Sequence, residues 1–463
     1  MTALNLAGWL EGVGLPHDGG ATERCGVELA RVANRLLELD GASGEPYFAL
    51  EHWSEGEIQT LDRGLRQATD EALVLLEYRV NGAPLSWRNW KSFQRQPPSQ
   101  DVLGRVFEQF VERSRRLQPL LAERYECERE SYSRLGLTKA QVFAYRERTE
   151  LETIRRMLRQ VGEACRAPFE RRLRETGGQI FGYAPGAPEL QAMNNNRMYD
   201  WLSPRLDGVD AVAETGRMFR GLGFDLTGIP LDLENRPGKY PGAFCYPIAT
   251  PSDVRVSVSI ASPHHLLDML FHEFGHAVHF AGIDPSLSVL DRCWIHSGTH
   301  ETFSTLFELL LGDPLFLRSH FAFDEVLIND LVTLDRLKAV WAGTYSAACG
   351  LAAIDAWMED LTWDEYENRY AGYLKAFTGL DVPPGYTRLE GFAKSVTVYP
   401  AGYVMANIRC VHWLRELRGD FGQKWWANPK AGEAIRQYIR PGGAVEFPAE
   451  WLNPGPFLEE YAD

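Results

Sequence analysis

The chain has 463 residues, 45% hydrophobic and 24% charged, an ordinary balance for a soluble globular protein with room for two to three domains or one large two-lobed one. Its formal net charge of −15 leaves no basic footprint, so nucleic acid is not an expected partner. No apolar run reaches the length of a membrane span, and the opening MTALNLAGWLEGVG has no basic n-region and carries Glu11 early, so no membrane association and a cytoplasmic location are expected.

In chain order, residues 1–50 show no strong period beyond a helix around 25–40. From 54 to 80 apolar residues recur at helical spacing, Ser54 and Glu57 are placed as a capping box, and a turn at NGAP ends the run. Two further helical stretches, 101–136 and 138–176, alternate in charge sign and read as solvated faces of packed helices; Arg113, Arg115 and Arg116 read as ordinary surface. The Gly- and Pro-rich 176–189 is the clearest punctuation, so the expected division is a helical lobe at 1–180 and a second lobe at 181–463. A helix near 208–222 follows, and 223–262 alternates as short strands joined by turns. The seven cysteines are scattered, odd in number and free of any CxxC, so a disulfide framework is not expected; Cys245 and Cys293 lie nearest the polar motifs and read as buried thiols.

Residues 271–310 carry the chemistry. In HEFGH, His272 and His276 are four apart, which on a helix leaves the imidazoles about 40° apart and roughly 6 Å along the axis. Two nitrogens can then meet one metal ion. Glu273 projects beside the pair, in the position of a general base next to a metal-bound water. Leu266, Leu267, Leu270, Phe271, Phe274, Ala277, Val278 and Phe280 make the rest of the helix apolar, and buried unpaired imidazoles and carboxylates are costly. A hydrolytic site needs a third protein ligand and an open position, and Glu301, opening a second apolar helical run, is the best candidate; His300 and Glu308 are the alternatives. Glu308 lies two turns after Glu301, about 10 Å away along the axis, and can accept a hydrogen bond from the outer nitrogen of a ligating histidine. Asp268 is a weaker candidate of the same kind, and His279, His296 and His300 are candidate pocket donors that more often prove structural.

Farther on, 324–378 reads as helix, with MEDLTWDEYENRY as an exposed amphipathic face, and 383–417 places Tyr386, Tyr399 and Tyr403 around glycines that permit a mobile loop before another helix.

HEFGHAVH, with Glu301 inside HETFSTLFE 29 positions after the first histidine, resembles the thimet oligopeptidase and oligopeptidase F family of zinc metallopeptidases. RPGKYPGAFCYPI and VRVSVSIAS resemble the segment that lines the cleft in that family, VYPAGYVMA its Tyr and Gly loop, and PGGAVEFPAEWL its terminal region. The resemblance covers roughly 190–463. It implies a mainly α fold of two helical lobes around a deep substrate channel, with a small β-sheet beside the metal helix. It makes Gly242, Ala243 and Phe244 candidate substrate contacts, since a strand edge there can pair with an extended peptide. It also implies that Tyr399 and Tyr403 hydrogen-bond the oxyanion of the tetrahedral intermediate. Lys394 and Ala406 depart from the family pattern, which has a histidine and a further tyrosine there; His300 or Lys394 is the candidate substitute donor.

The expected protein is therefore a zinc peptidase, monomeric or homodimeric, cutting short peptides, with one zinc held by His272, His276 and Glu301 and with Glu273 as base. Manganese or cobalt suits the same ligands. A metal-bound peptide-binding protein with little turnover, or an amidase on a non-peptide substrate, are the alternatives.

Overall fold

Apolar residues at three- and four-residue spacing make most of this chain helical, and the computed structural model describes residues 2–16, 56–80, 82–95, 99–190, 193 and 197–462. The helix expected around 25–40 and the Ser54 cap lie outside the described residues. No described helix is long and apolar enough to cross a membrane.

Three expected helices are interrupted. The run at 54–80 is helical only over Gly56–Ala72; Val74–Val80 is strand β1, antiparallel to β2 at Ala83–Ser86. VLLEYRV holds β-branched and aromatic residues that suit a pleated surface, and Gly82 at φ 81° supplies the left-handed conformation of a tight turn. The stretch 101–136 is two helices, Gln100–Arg113 and Gln118–Leu135, with a 3-10 turn at Ser114–Leu117 and a proline entering the second helix. The stretch 138–176 likewise divides into Lys139–Arg146, opened by a Thr138/Gln141 capping box, and α1, Leu151–Phe181. Arg148 between them takes φ 51°. The second helix continues into the Gly-rich stretch and ends at Gly182, φ 77°.

Helix α2, Glu325–Met358, packs along α1. One core joins residues of the first half, from Ala72 to Leu206, to α2 and to the helix Trp363–Thr378. That last helix begins with the WDEYENRY of the MEDLTWDEYENRY segment, whose first residues close α2 and turn, and it is exposed on one side only. Trp363, Tyr366 and Tyr370 are buried, and Glu367 is clamped by Arg388 through two 2.6 Å hydrogen bonds.

A second core gathers a three-stranded sheet and the helices beside it. The sheet has the order β3-β5-β4, with β3 Leu231–Asp232 parallel and β4 Ala243–Ala249 antiparallel to the central β5, Asp253–Val258. Ala243 and Cys245 turn toward this second core, while Phe244 and Tyr246 pack with Trp9 of the helix Thr2–Gly12. The chain is thus mainly α, with its small sheet next to the motif helix, as the expected fold class has it.

Candidate metal centre

The motif helix, α3, runs Pro263–Gly282. Ser262 caps it by accepting the His265 N–H at 3.2 Å, and Pro263 suits the first turn, where no N–H is needed. Helix α4, Ser297–Glu308, crosses it at backbone contact. Gly275 permits this, since a Cβ there would lie 2.6 Å from Ser304 Cα and 2.9 Å from Phe303 O. The glycine of HEFGH thus lets α4 present its carboxylate to the two histidines.

His272 Nε2 and His276 Nε2 each lie 3.4 Å from Glu301 Oε2, and the three donor atoms fall within 4.8 Å of one another. A tetrahedral ion ~2.1 Å from each donor leaves the donors about 3.4 Å apart, so the set fits zinc in both size and ligand type. Glu301 is 2% exposed; its Oε1 accepts from Tyr399 Oη at 2.5 Å and its Oε2 from Ser304 Oγ at 3.1 Å. Burial pushes the Glu301 carboxyl up, but His276 and His272 outweigh it and hold the group well below the usual range. For His272 burial acts downward, and Glu308 with Glu301 overrides it, leaving the ring well above its ordinary value. Two carboxylates flanking one imidazole favour positive charge between them, whether a proton or a cation.

Glu273 is 5% exposed, and burial raises its pKa against the opposing pull of His272 and His276. The backbone N–H of Cys245 in β4 pulls the same carboxyl downward. Spacing arguments assign the strand only to peptide pairing, and this second use, favouring the charged carboxylate, has no sequence signal. The Cys245 thiol is pushed well up by burial, and none of the six described cysteines forms a disulfide.

Glu308 Oε2 sits 2.6 Å from His272 Nδ1, the contact its spacing allows. Glu308 Oε1 is 2.5 Å from Lys338 Nζ, which also binds Asp268 Oδ2 at 2.9 Å. Lys338 comes from α2, and nothing in that helix's pattern marks it. A second unforeseen group is Glu147, from the break before α1. Its Oε1 accepts the Thr299 N–H at 3.0 Å in the first turn of α4, and its Oε2 accepts from Arg409 at 2.9 Å. A carboxylate at a helix N-terminus complements the dipole, and here both partners are buried.

The segment read as a mobile tyrosine loop is instead the start of helix α5, Tyr399–Phe421. Its Gly402 serves close packing: a Cβ would meet Gly298 N at 2.5 Å, so α5 touches the first turn of α4. Tyr399 accordingly lies against Glu301, and the Tyr403 ring is 5.3 Å from that of Tyr399, nearly edge-on to it. Burial raises both phenols well above their usual range. Tyr386 is separate from this group, buried against Phe107. Lys394, considered as a substitute donor, faces Glu390 and Asp62, where burial lowers its pKa; Ala406 is fully buried on α5.

His300 Nε2 is 3.4 Å from Tyr399 Oη and Nδ1 is 3.7 Å from Glu301 Oε1, and burial brings its pKa down to about 3. With Tyr399 and His296 it lines a cavity of about 270 Å³ that Phe143, Lys139 and Glu128 also line. His279 is no pocket donor. It is fully buried and stacked on Phe303 at 4.0 Å, with neither ring nitrogen partnered among the described residues. Gly242 O accepts from Ser259 N at 2.9 Å, Ala243 opens β4, and Phe244 lies edge-on to Trp9 at 5.5 Å, so its ring is engaged by the N-terminal helix.

The fold is one that solved peptidases share. A structure of M32 carboxypeptidase from Deinococcus radiodurans R1 matches 100% of this chain and 96% of its own at 14% identity and TM-score 0.58. A protein described as an oligoendopeptidase F matches 99% and 87% at 16% identity and TM-score 0.61. PZ peptidase A, solved with an inhibitor, matches 88% and 76% at 15% identity and TM-score 0.57. The resemblance read from HEFGH and its flanks therefore holds at the level of the fold. No family model matches the chain, and no curated protein matches it by sequence.

Proposed function

We propose that this chain is a zinc-dependent peptidase hydrolysing short oligopeptides, with His272, His276 and Glu301 as ligands and Glu273 as general base. The observation that carries the reading is the buried convergence of two imidazoles and one carboxylate, with a second carboxylate beside them that forms no ion pair with a lysine or arginine among the described residues. Zinc, when bound, supplies a Lewis acid that polarises the scissile carbonyl and acidifies a water. Glu273, its pKa raised by burial, accepts a proton from water and delivers it to the leaving amine. The Cys245 N–H favours the charged form of that carboxyl. Tyr399 holds Glu301, and Tyr403 is the phenol that hydrogen-bonds the oxyanion. The edge strand β4 pairs with the extended peptide.

The test is digestion of a mixed oligopeptide library, read by mass spectrometry, with and without chelation and zinc restoration. Chelator-sensitive cuts in short peptides support the reading. A zinc-loaded protein that cuts nothing replaces it with a peptide-binding protein, the outcome that Lys394 and Ala406 would favour.

A further inference from the structure

Beyond His272, on the side away from Glu301, charged groups converge that the proposed chemistry does not use. Lys338 of α2 reaches three carboxylate oxygens, Glu308 Oε1 at 2.5 Å and Asp268 Oδ1 and Oδ2 at 3.0 and 2.9 Å. Glu308 is then held at both ends, since its Oε2 lies 2.6 Å from His272 Nδ1. A carboxylate gripped at one oxygen can pivot about that bond; gripped at both, it has one orientation. Asp268 stands one turn before His272 on α3, and Glu308 ends α4, so one ammonium ties together the two helices that supply the ligands. Three N–H donors on a single nitrogen suit three oxygens arriving from two directions.

We propose that Lys338 is a positioning residue for the metal centre: clamping Glu308 against Nδ1–H of His272, it fixes the tautomer and ring orientation that present Nε2 beside Glu301. The inference rests on the reading of His272, His276 and Glu301 as ligands. Partners of this kind behind a ligating histidine typically contribute 10- to 100-fold in metal affinity, and Lys338 acts through such a partner.

The experiment measures zinc dissociation constants by competition with a chromogenic chelator, on full-length protein stripped of metal. Wild type, Lys338→Met, Glu308→Gln and the double variant are compared. Lys338→Met weakens zinc binding about 10-fold or more, and adds little in the Glu308→Gln background because the clamped group has gone. An unchanged affinity in Lys338→Met overturns the proposal, as does a loss that multiplies in full with that of Glu308→Gln. Lys338→Met/Asp268→Asn also removes the buried negative charge that Lys338 balances and guards against misfolding. It keeps the melting temperature near that of wild type yet shows the same weakening, and recovery of wild-type affinity in it overturns the clamp. A wild type that binds no zinc removes the metal-centre reading and the clamp together. Because the readout needs no substrate, failed peptide hydrolysis bears on the peptidase reading alone.

Discussion

Gly402→Ala tests whether the tyrosine segment is a packed helix start or a mobile loop. A Cβ at Gly402 would lie 2.5 Å from Gly298 N, where an ordinary contact needs about 3.5 Å, so α4 and α5 must part by about 1 Å. The obstacle is backbone, which cannot swing aside as a side chain would. Overpacking of this kind costs ~1–3 kcal/mol, read as a lower urea midpoint with an unchanged slope. Glu301 lies within one turn of Gly298, so the same shift spoils its approach to His272 and His276, and a 1 Å misplacement of catalytic groups costs about 100-fold in rate. Gly391→Ala is the control in the same stretch: a Cβ there meets nothing within 4 Å, and stability and zinc affinity stay at wild-type values. If Gly402→Ala lowers turnover while stability and zinc affinity are untouched, the glycine serves motion and the packing argument is refuted.

Glu273→Gln should keep zinc at wild-type affinity while hydrolysis falls below detection; retained turnover removes Glu273 as base. Glu301→Ala should weaken zinc binding markedly in the chelator competition, and an unchanged affinity sends the search for the third ligand to His300 or Glu308. The two phenols should separate: Tyr399→Phe weakens zinc binding, because Glu301 loses a 2.5 Å hydrogen bond, whereas Tyr403→Phe leaves affinity alone and lowers kcat about 100- to 1000-fold. Steady-state kinetics beside metal titration distinguish them. Glu147→Ala leaves Arg409 buried without its carboxylate and should cost about 3–5 kcal/mol in urea denaturation; a loss below 1 kcal/mol would falsify the view that this pair anchors α4.

The parts of the site that lie within one helix were legible in the chain. The four-residue spacing in HEFGH puts two imidazoles on one face, and the seven residues from Glu301 to Glu308 put both carboxylates on one side of α4, where each reaches a different nitrogen of His272. Ser262 marks the helix start by its own chemistry. Contacts assembled by distant elements were not legible: Lys338 looks like any lysine of a long helix, Glu147 like any glutamate at a helix end, and a backbone N–H such as that of Cys245 leaves no trace in a sequence. Glycine misled for a related reason. In PAGY it suggested freedom, whereas the partner that makes it necessary, the backbone of Gly298, is a hundred residues away in the chain. The helix breaks at Ser114–Leu117 and Arg148 were missed because apolar spacing carries across a single irregular turn.

The seat of Glu147 on the first turn of α4 bears on the order of assembly. The first turn of the helix that carries Glu301 is seated where a carboxylate from the first third of the chain meets Thr299 and Arg409, which comes from its last eighth. Until they meet, a nascent or partly unfolded chain offers a cation only two imidazoles along a single helix, a weak and unselective grip. If His272, His276 and Glu301 hold zinc as proposed, tight uptake is expected only after these two distant parts of the polypeptide have met.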